Sequence, residues 1–116
     1  MERTLNELME YEEILGAIVY SSEGLVLASA GLSRADSEAF GAVGASLLGA
    51  VDSTSRRLGA GAIASVSFAA REGVVHCWAV DGLALAIFTE QAAPTPLDLL
   101  SKRVLGEIML VVDPNG

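Results

Sequence analysis

His76, Cys77 and Trp78 are the residues of this chain that look most like a reactive cluster: an imidazole base, a thiol nucleophile and a ring to hold a substrate. Their spacing works against it. They lie in a strand-like run, where neighbouring side chains point to opposite faces, so Cys77 cannot take a hydrogen bond from His76. A Cys-His dyad would therefore need a second histidine, and the sequence has one. One His and one Cys also fall short of a zinc site. Gly59-Ala60-Gly61-Ala62-Ile63-Ala64 spells a GxGxxA dinucleotide loop, but that loop must leave a strand and open a helix to offer its amides to a pyrophosphate. Here the order is reversed, which makes it a helix C-cap and a strand start. No Gly-Lys-Ser or Gly-Lys-Thr of a P-loop occurs. Arg56 and Arg57 could act as arginine fingers, yet the negative pole of a long helix accounts for them without catalysis. Ser21, Ser22 and Ser29 have no base placed to activate them. Asp52 has only Ser53 beside it and no second carboxylate to pair with. Glu2, Glu7, Glu10, Glu12 and Glu13 solvate a short amphipathic helix. No catalytic residue, metal site or cofactor is expected.

The composition narrows the partners. A chain of 116 residues is read as a single domain, residues 1–116. Its formal charge of −8 repels a phosphate backbone or an anionic lipid surface, so neither nucleic acid nor membrane is an expected partner. A hydrophobic content of 52% and a mean hydropathy of +0.49 are high for so small a domain, which points to apolar surface ending in a subunit contact. The lone Cys77 fits a reducing compartment. Met1-Glu2-Arg3-Thr4 lacks the basic start of a secretion signal, and Glu23, Arg71, Asp81 and Glu90 interrupt every strand-like stretch before it reaches the roughly 18 residues of a membrane span. The expected location is cytoplasmic.

The elements that would position any site follow from periodicity and turn chemistry. Leu5, Leu8 and Met9 form the stripe of a short helix. Residues 15–21 and 25–30 are apolar strands reversed through Ser22-Glu23-Gly24, and Gly31 stops the second. Ser33 with Asp36 reads as a capping box that opens a helix running to about Leu58. Ala62 to Ala70 alternates as a strand, with Ala64, Val66 and Phe68 on one face and Ile63, Ser65 and Ser67 on the other. Arg71-Glu72-Gly73 turns the chain, Val74 to Val80 forms the next strand, and Asp81-Gly82 is a two-residue hairpin turn before Leu83 to Thr89. Thr95-Pro96-Leu97-Asp98 caps a last helix with Leu97, Leu100, Val104, Ile108 and Val111 inward and Lys102, Arg103 and Glu107 outward.

The long helix is unusual. Its wheel puts Phe40, Val43, Leu47, Val51, Thr54 and Leu58 on the side expected to pack on the sheet. Glu38, Ala42, Ala45, Gly49, Asp52 and Arg56 lie opposite, and Gly41, Gly44 and Leu48 form a flank between. Its interior glycines cost roughly 3 kcal/mol together relative to alanine. Close approach of another backbone is the physical use of such small residues, and shallow apolar ground with a charged rim is how protein interfaces are built.

The order of helix, hairpin, long helix, three-stranded meander and helix, with the phrase Gly16-Ala-Ile-Val-Tyr-Ser-Ser-Glu-Gly-Leu-Val-Leu-Ala-Ser29, resembles the Roadblock/dynein light chain family across nearly the whole chain. Ser21 stands where that family usually has an aspartate. The C-terminal extension of some bacterial members is absent, so no contact through such a tail is expected. The resemblance implies an α+β, profilin-like fold of order α-β-β-α-β-β-β-α, its five-stranded antiparallel sheet ordered 2-1-5-4-3 between one long helix and two terminal helices. It implies a homodimer in which third strands pair edge to edge and long helices lie side by side, through Ala62, Ala64, Val66, Phe68 and the Gly41, Gly44, Leu48 flank. It further implies a non-enzymatic regulator or scaffold of a small Ras-like GTPase, docked on Glu38, Ala42, Ala45, Gly49, Asp52 and Arg56. A rival reading is a small-molecule sensor of PAS-like or profilin-like topology with a pocket around Tyr20, His76 and Trp78. Aromatic residues make up only 5% of the chain, which disfavours a roomy aromatic cavity.

Overall fold

Turn chemistry sets the strand pairs. A computed structural model describes residues 1–90 and 97–112. The chain runs α1 (Glu2–Leu8), β1 (Ile14–Ser21), β2 (Val26–Ala30), α2 (Arg34–Arg57), β3 (Ser65–Ala70), β4 (Gly73–Val80), β5 (Leu83–Thr89) and α3 (Leu97–Val112). Gly24, at φ +90°, closes β1 onto β2. Asp81 and Gly82 both take positive φ, 47° and 82°, which is the backbone of a type I′ turn, so Val80 pairs directly with Leu83. The five strands form one antiparallel sheet ordered β2-β1-β5-β4-β3, as the resemblance implied. Val19 pairs with Ala28 but Tyr20 with Val26, so Leu27 is the extra residue of a bulge on the outer strand.

Alternation along β1, β4 and β5 gives the sheet two buried faces. On one, Ala17, Val19, Leu85 and Ile87 pack against Leu5 and Leu8 of α1 and Leu100, Val104, Leu105 and Ile108 of α3. On the other, Ile18, Tyr20, Cys77, Ala84 and Ala86 lie with Leu48 of α2. Val111 is 59% exposed rather than inward, while Lys102 and Arg103 face out as their charge requires. The expected cap at Thr95-Pro96 lies outside the described residues.

The long helix is turned relative to its expected orientation. Ser37, Gly41, Gly44 and Leu48 are its buried residues, one position on from the Phe40, Val43, Leu47 and Val51 stripe, a rotation of about 100°. A side chain built at Gly41 would meet the Gly24 carbonyl oxygen at 3.0 Å and Val26 at 2.9 Å, and one at Gly44 would meet the Tyr20 hydroxyl at 2.9 Å. Backbone thus sits on backbone, and the glycines cost helix propensity to allow it. Phe40 still reaches inward from the margin, edge-on to Tyr20 at 6.0 Å and to Phe88 at 4.9 Å between ring centroids. Val43 and Leu58 are left 64% and 79% exposed.

The α2 glycines therefore separate by function. Nothing lies within 4 Å of a side chain built at Gly49. Gly49→Ala should raise stability by about 0.8–1 kcal/mol, whereas Gly41→Ala should lower it by roughly 1–3 kcal/mol through overpacking. Urea unfolding at matched protein concentration measures both; equal effects at the two positions would contradict this packing.

Candidate functional site

The alternation of β4 parts the reactive-looking triplet as its spacing required. Cys77 points beneath α2, fully buried. His76 and Trp78 point to the other face, their rings stacked at 5.9 Å and 20°. Because Tyr20 lies with Cys77 on the α2 face, the sensor pocket expected around Tyr20, His76 and Trp78 does not form: the sheet itself stands between them. Registry does create one pair that strand order alone hides. Ser67 lies opposite His76, with its hydroxyl oxygen 3.0 Å from Nδ1. Ser67 is exposed and His76 half-buried. The Tyr20 hydroxyl is buried beneath Gly44 and makes no conventional hydrogen bond. Its burial, reinforced by the adjacent Cys77 thiol, pushes its ionisation well above the ordinary tyrosine range, and burial likewise raises the Cys77 thiol. Both stay neutral and inert near pH 7. Among the described residues no group of three or more His, Cys, Asp or Glu could hold a metal ion, and no helix is long and apolar enough to cross a membrane.

Polar chemistry is concentrated instead at the C-terminal end of α2. Leu58 caps the helix and Gly59 follows at φ +79°. The Gly59 and Ala60 amides donate to the carbonyls of Arg56 and Ser55 at 3.1 and 2.9 Å, a Schellman motif. The chain then folds back along the helix. Ser55 Oγ donates to the Gly61 carbonyl at 2.8 Å, and the Ile63 amide donates to Asp52 Oδ1 at 2.7 Å. Arg56 Nε binds the other oxygen of that carboxylate at 2.8 Å. The Ile63 amide first, and Arg56 second, hold the Asp52 carboxyl below its usual range. β3 begins at Ser65 and not at Ala62, so Ala62 and Ala64 precede the strand, although the Ala64 carbonyl still accepts from the Ala79 amide at 3.1 Å.

Of the residues expected to dock a partner, Ala45, Gly49, Asp52 and Arg56 are brought together. They line a cleft of about 580 Å³ that runs between α2 and the Asp81-Gly82 turn. Glu38 and Ala42 lie towards the other end of the helix, where Glu38 pairs with Arg34 at 3.1 Å and Ala42 lies against Gly24. The expected dimer flank of Gly41, Gly44 and Leu48 is spent on the chain's own sheet. In its place the Val43, Leu47, Val51, Leu58 side of α2 is exposed or half-buried, beside an apolar recess lined by Val51, Thr54 and Leu58. On β3, Phe68 is 40% exposed and Val66 half-buried.

Comparison with known proteins fixes what kind of domain this is. A sequence model of the Roadblock/LC7 domain matches residues 1–89. The chain belongs to the Roadblock/LC7 family. No curated protein matches it by sequence. Solved structures do match in shape. A Roadblock/LC7 domain from Streptomyces avermitilis superposes with a TM-score of 0.82 at 20% identity, over 94% of this chain and 98% of that one. MglB of Myxococcus xanthus gives 0.86 at 12% identity, over 97% and 94%. The gliding protein MglB of Thermus thermophilus gives 0.75 at 18% identity, over 88% and 80%. At these identities the likeness is one of fold, and this Roadblock/LC7 domain shares it along nearly its full length.

Asp52 carries a pH prediction. Its carboxyl is depressed in the folded state relative to the ordinary value of 3.8, so its contribution is complete above that value and is lost as pH falls through the lower, folded one. Asp52→Asn should flatten the fall in urea midpoint below about pH 4. A wild-type and variant that decline in parallel from pH 5 to pH 2 would show that the carboxylate is not held this way.

Proposed function

We propose that this Roadblock/LC7 domain acts as a homodimeric, non-enzymatic regulator or scaffold that binds a small Ras-like GTPase and modulates its hydrolysis or placement in the cell. The observation that carries the reading is the open edge of β3. It ends the sheet, contains neither Pro nor Lys to guard it, and leaves Ser65, Ser67, Phe68, Ala69 and Ala70 exposed. A second copy added there extends the sheet and brings Val66 and Phe68 together across a two-fold axis. The uncovered Val43, Leu47, Val51 and Leu58 side of α2 gives the same copy a helix seam, which replaces the glycine flank in this role. The GTPase is assigned to the flank of α2 that borders the cleft, on Ala45, Gly49, Asp52 and Arg56 with Glu38 and Ala42 beyond. Likeness in fold to the gliding protein MglB supports this class of partner.

Asp52 is engaged through both carboxylate oxygens, so Arg56 is the charged group with donors to spare for a partner. Light scattering should return twice the mass of one chain, and the double variant Val43→Asp with Phe68→Asp should return the monomer. Titration with a small Ras-like GTPase from the same genome, in its GDP and GTP-analogue states, should show binding in at least one state. Gly49→Arg, at a position with room for a side chain, should weaken that binding about tenfold or more without unfolding the domain. Absence of binding in both states would remove the GTPase from the proposal.

A further inference from the structure

The free edge of β3 carries a device at its start. In an antiparallel ladder, residues that exchange both bonds with the neighbouring strand turn their backbone groups inward, and the residues between them turn theirs outward. The Ala79 amide donates to the Ala64 carbonyl at 3.1 Å, and the same register continues as Val66 opposite Cys77 and Phe68 opposite Val75. Ser65, Ser67 and Ala69 therefore present their N–H and C=O groups to the open side. Carried back two residues, the alternation would make Ile63 the next outward donor. That amide is instead bonded to Asp52, which Arg56 steadies in turn, while Ser55 ties down the Gly61 carbonyl.

We infer that Asp52 is a register-setting residue: by capping the Ile63 amide it confines the edge open to a second copy to Ser65–Ala69, and so centres the pairing of the two copies on Ser67. The inference rests on the reading of β3 as a shared edge. A two-fold axis through Ser67 satisfies all three outward residues, with Ser65 facing Ala69 of the second copy and Ser67 facing its own counterpart. On the α2 side it sets Phe68 against Val66 of the second copy, which shields an exposed aromatic ring behind a branched aliphatic side chain. Slippage by two residues, to an axis through Val66, would set Ala69 against Ile63 of the second copy, and slippage by four, to an axis through Ser65, would set Ser67 against it; both need the Ile63 amide that Asp52 holds. The slip of four would also leave Ala69 unmatched and put Phe68 opposite Ala62. A slip of one residue is excluded on other grounds, because it turns every side chain to the wrong face.

Single cysteines report the axis directly, since facing residues of a bonded antiparallel pair lie about 5.5 Å apart at Cα, within disulfide reach. Cys77 is fully buried and does not compete. Under mild oxidation Ser67→Cys should form a disulfide-linked dimer, and Ser65→Cys should do so about tenfold more slowly or worse, in line with one uncapped hydrogen bond. Adding Asp52→Ala should bring Ser65→Cys close to the Ser67→Cys rate. Adding Asp52→Asn, which keeps a carbonyl acceptor for the amide, should preserve the difference. A dimer in which the two cysteines link equally fast with Asp52 intact, or in which Asp52→Ala changes nothing, overturns the register role and leaves the shared edge standing. A chain that scatters light as a monomer overturns both. Hydrogen exchange at the Ile63 amide checks the cap itself in either state: it should accelerate at least about tenfold in Asp52→Ala, and an unchanged rate rules the cap out.

Discussion

The contact between α2 and the first hairpin governs the rest of the molecule. Gly41 lies against the carbonyl of Gly24, and Gly44 against the hydroxyl of Tyr20. Neither position can take a side chain without moving a neighbour, so the helix has one depth and one rotation at which it can sit. That rotation decides which residues reach solvent. It turns Val43, Leu47, Val51 and Leu58 away from the sheet, and it brings Asp52, Ser55 and Arg56 to where the returning chain can be caught.

The sheet is supported unequally on its two sides. The face beneath α1 and α3 is filled by leucine, isoleucine and valine, which supplies the larger share of apolar burial. The face beneath α2 mixes Ile18, Tyr20 and Cys77 with small residues, Ala79, Ala84 and Ala86. Small residues on both partners let the helix come close, and they leave a cleft where its last turns diverge from the sheet. Apolar burial thus lies mainly on one side, while the α2 side is shaped by close approach more than by bulk.

Much of this architecture was legible from residues alone. Gly24 and Asp81-Gly82 announced their turns because each requires a backbone that few residues adopt, and α2 starts at Arg34, directly after the Ser33 cap that the pattern chose. The rotation of α2 was not legible, because a helix with two apolar sides gives the wheel no reason to choose between them. Amphipathic reasoning assumes that the apolar stripe faces the chain's own core, and here the glycine contacts with the first hairpin override that stripe. The start of β3 was misread for a different reason: Ala62 to Ala70 alternates only loosely, and the ties that draw its first residues back along α2, from Ser55 to the Gly61 carbonyl and from the Ile63 amide to Asp52, involve a helix earlier in the sequence. The Ser67–His76 pair likewise depends on inter-strand registry, which no local pattern encodes.

The two margins of the sheet are not alike. One, along β3, is smooth and unguarded. The other, along β2, is short and carries the Leu27 bulge, which spoils the even spacing that an incoming strand would have to match. A copy added through the smooth margin leaves only bulged margins at both extremities. Were a second copy to pair there, growth by strand addition would halt after one step, and the bulge would keep a domain with an inviting edge from becoming a filament.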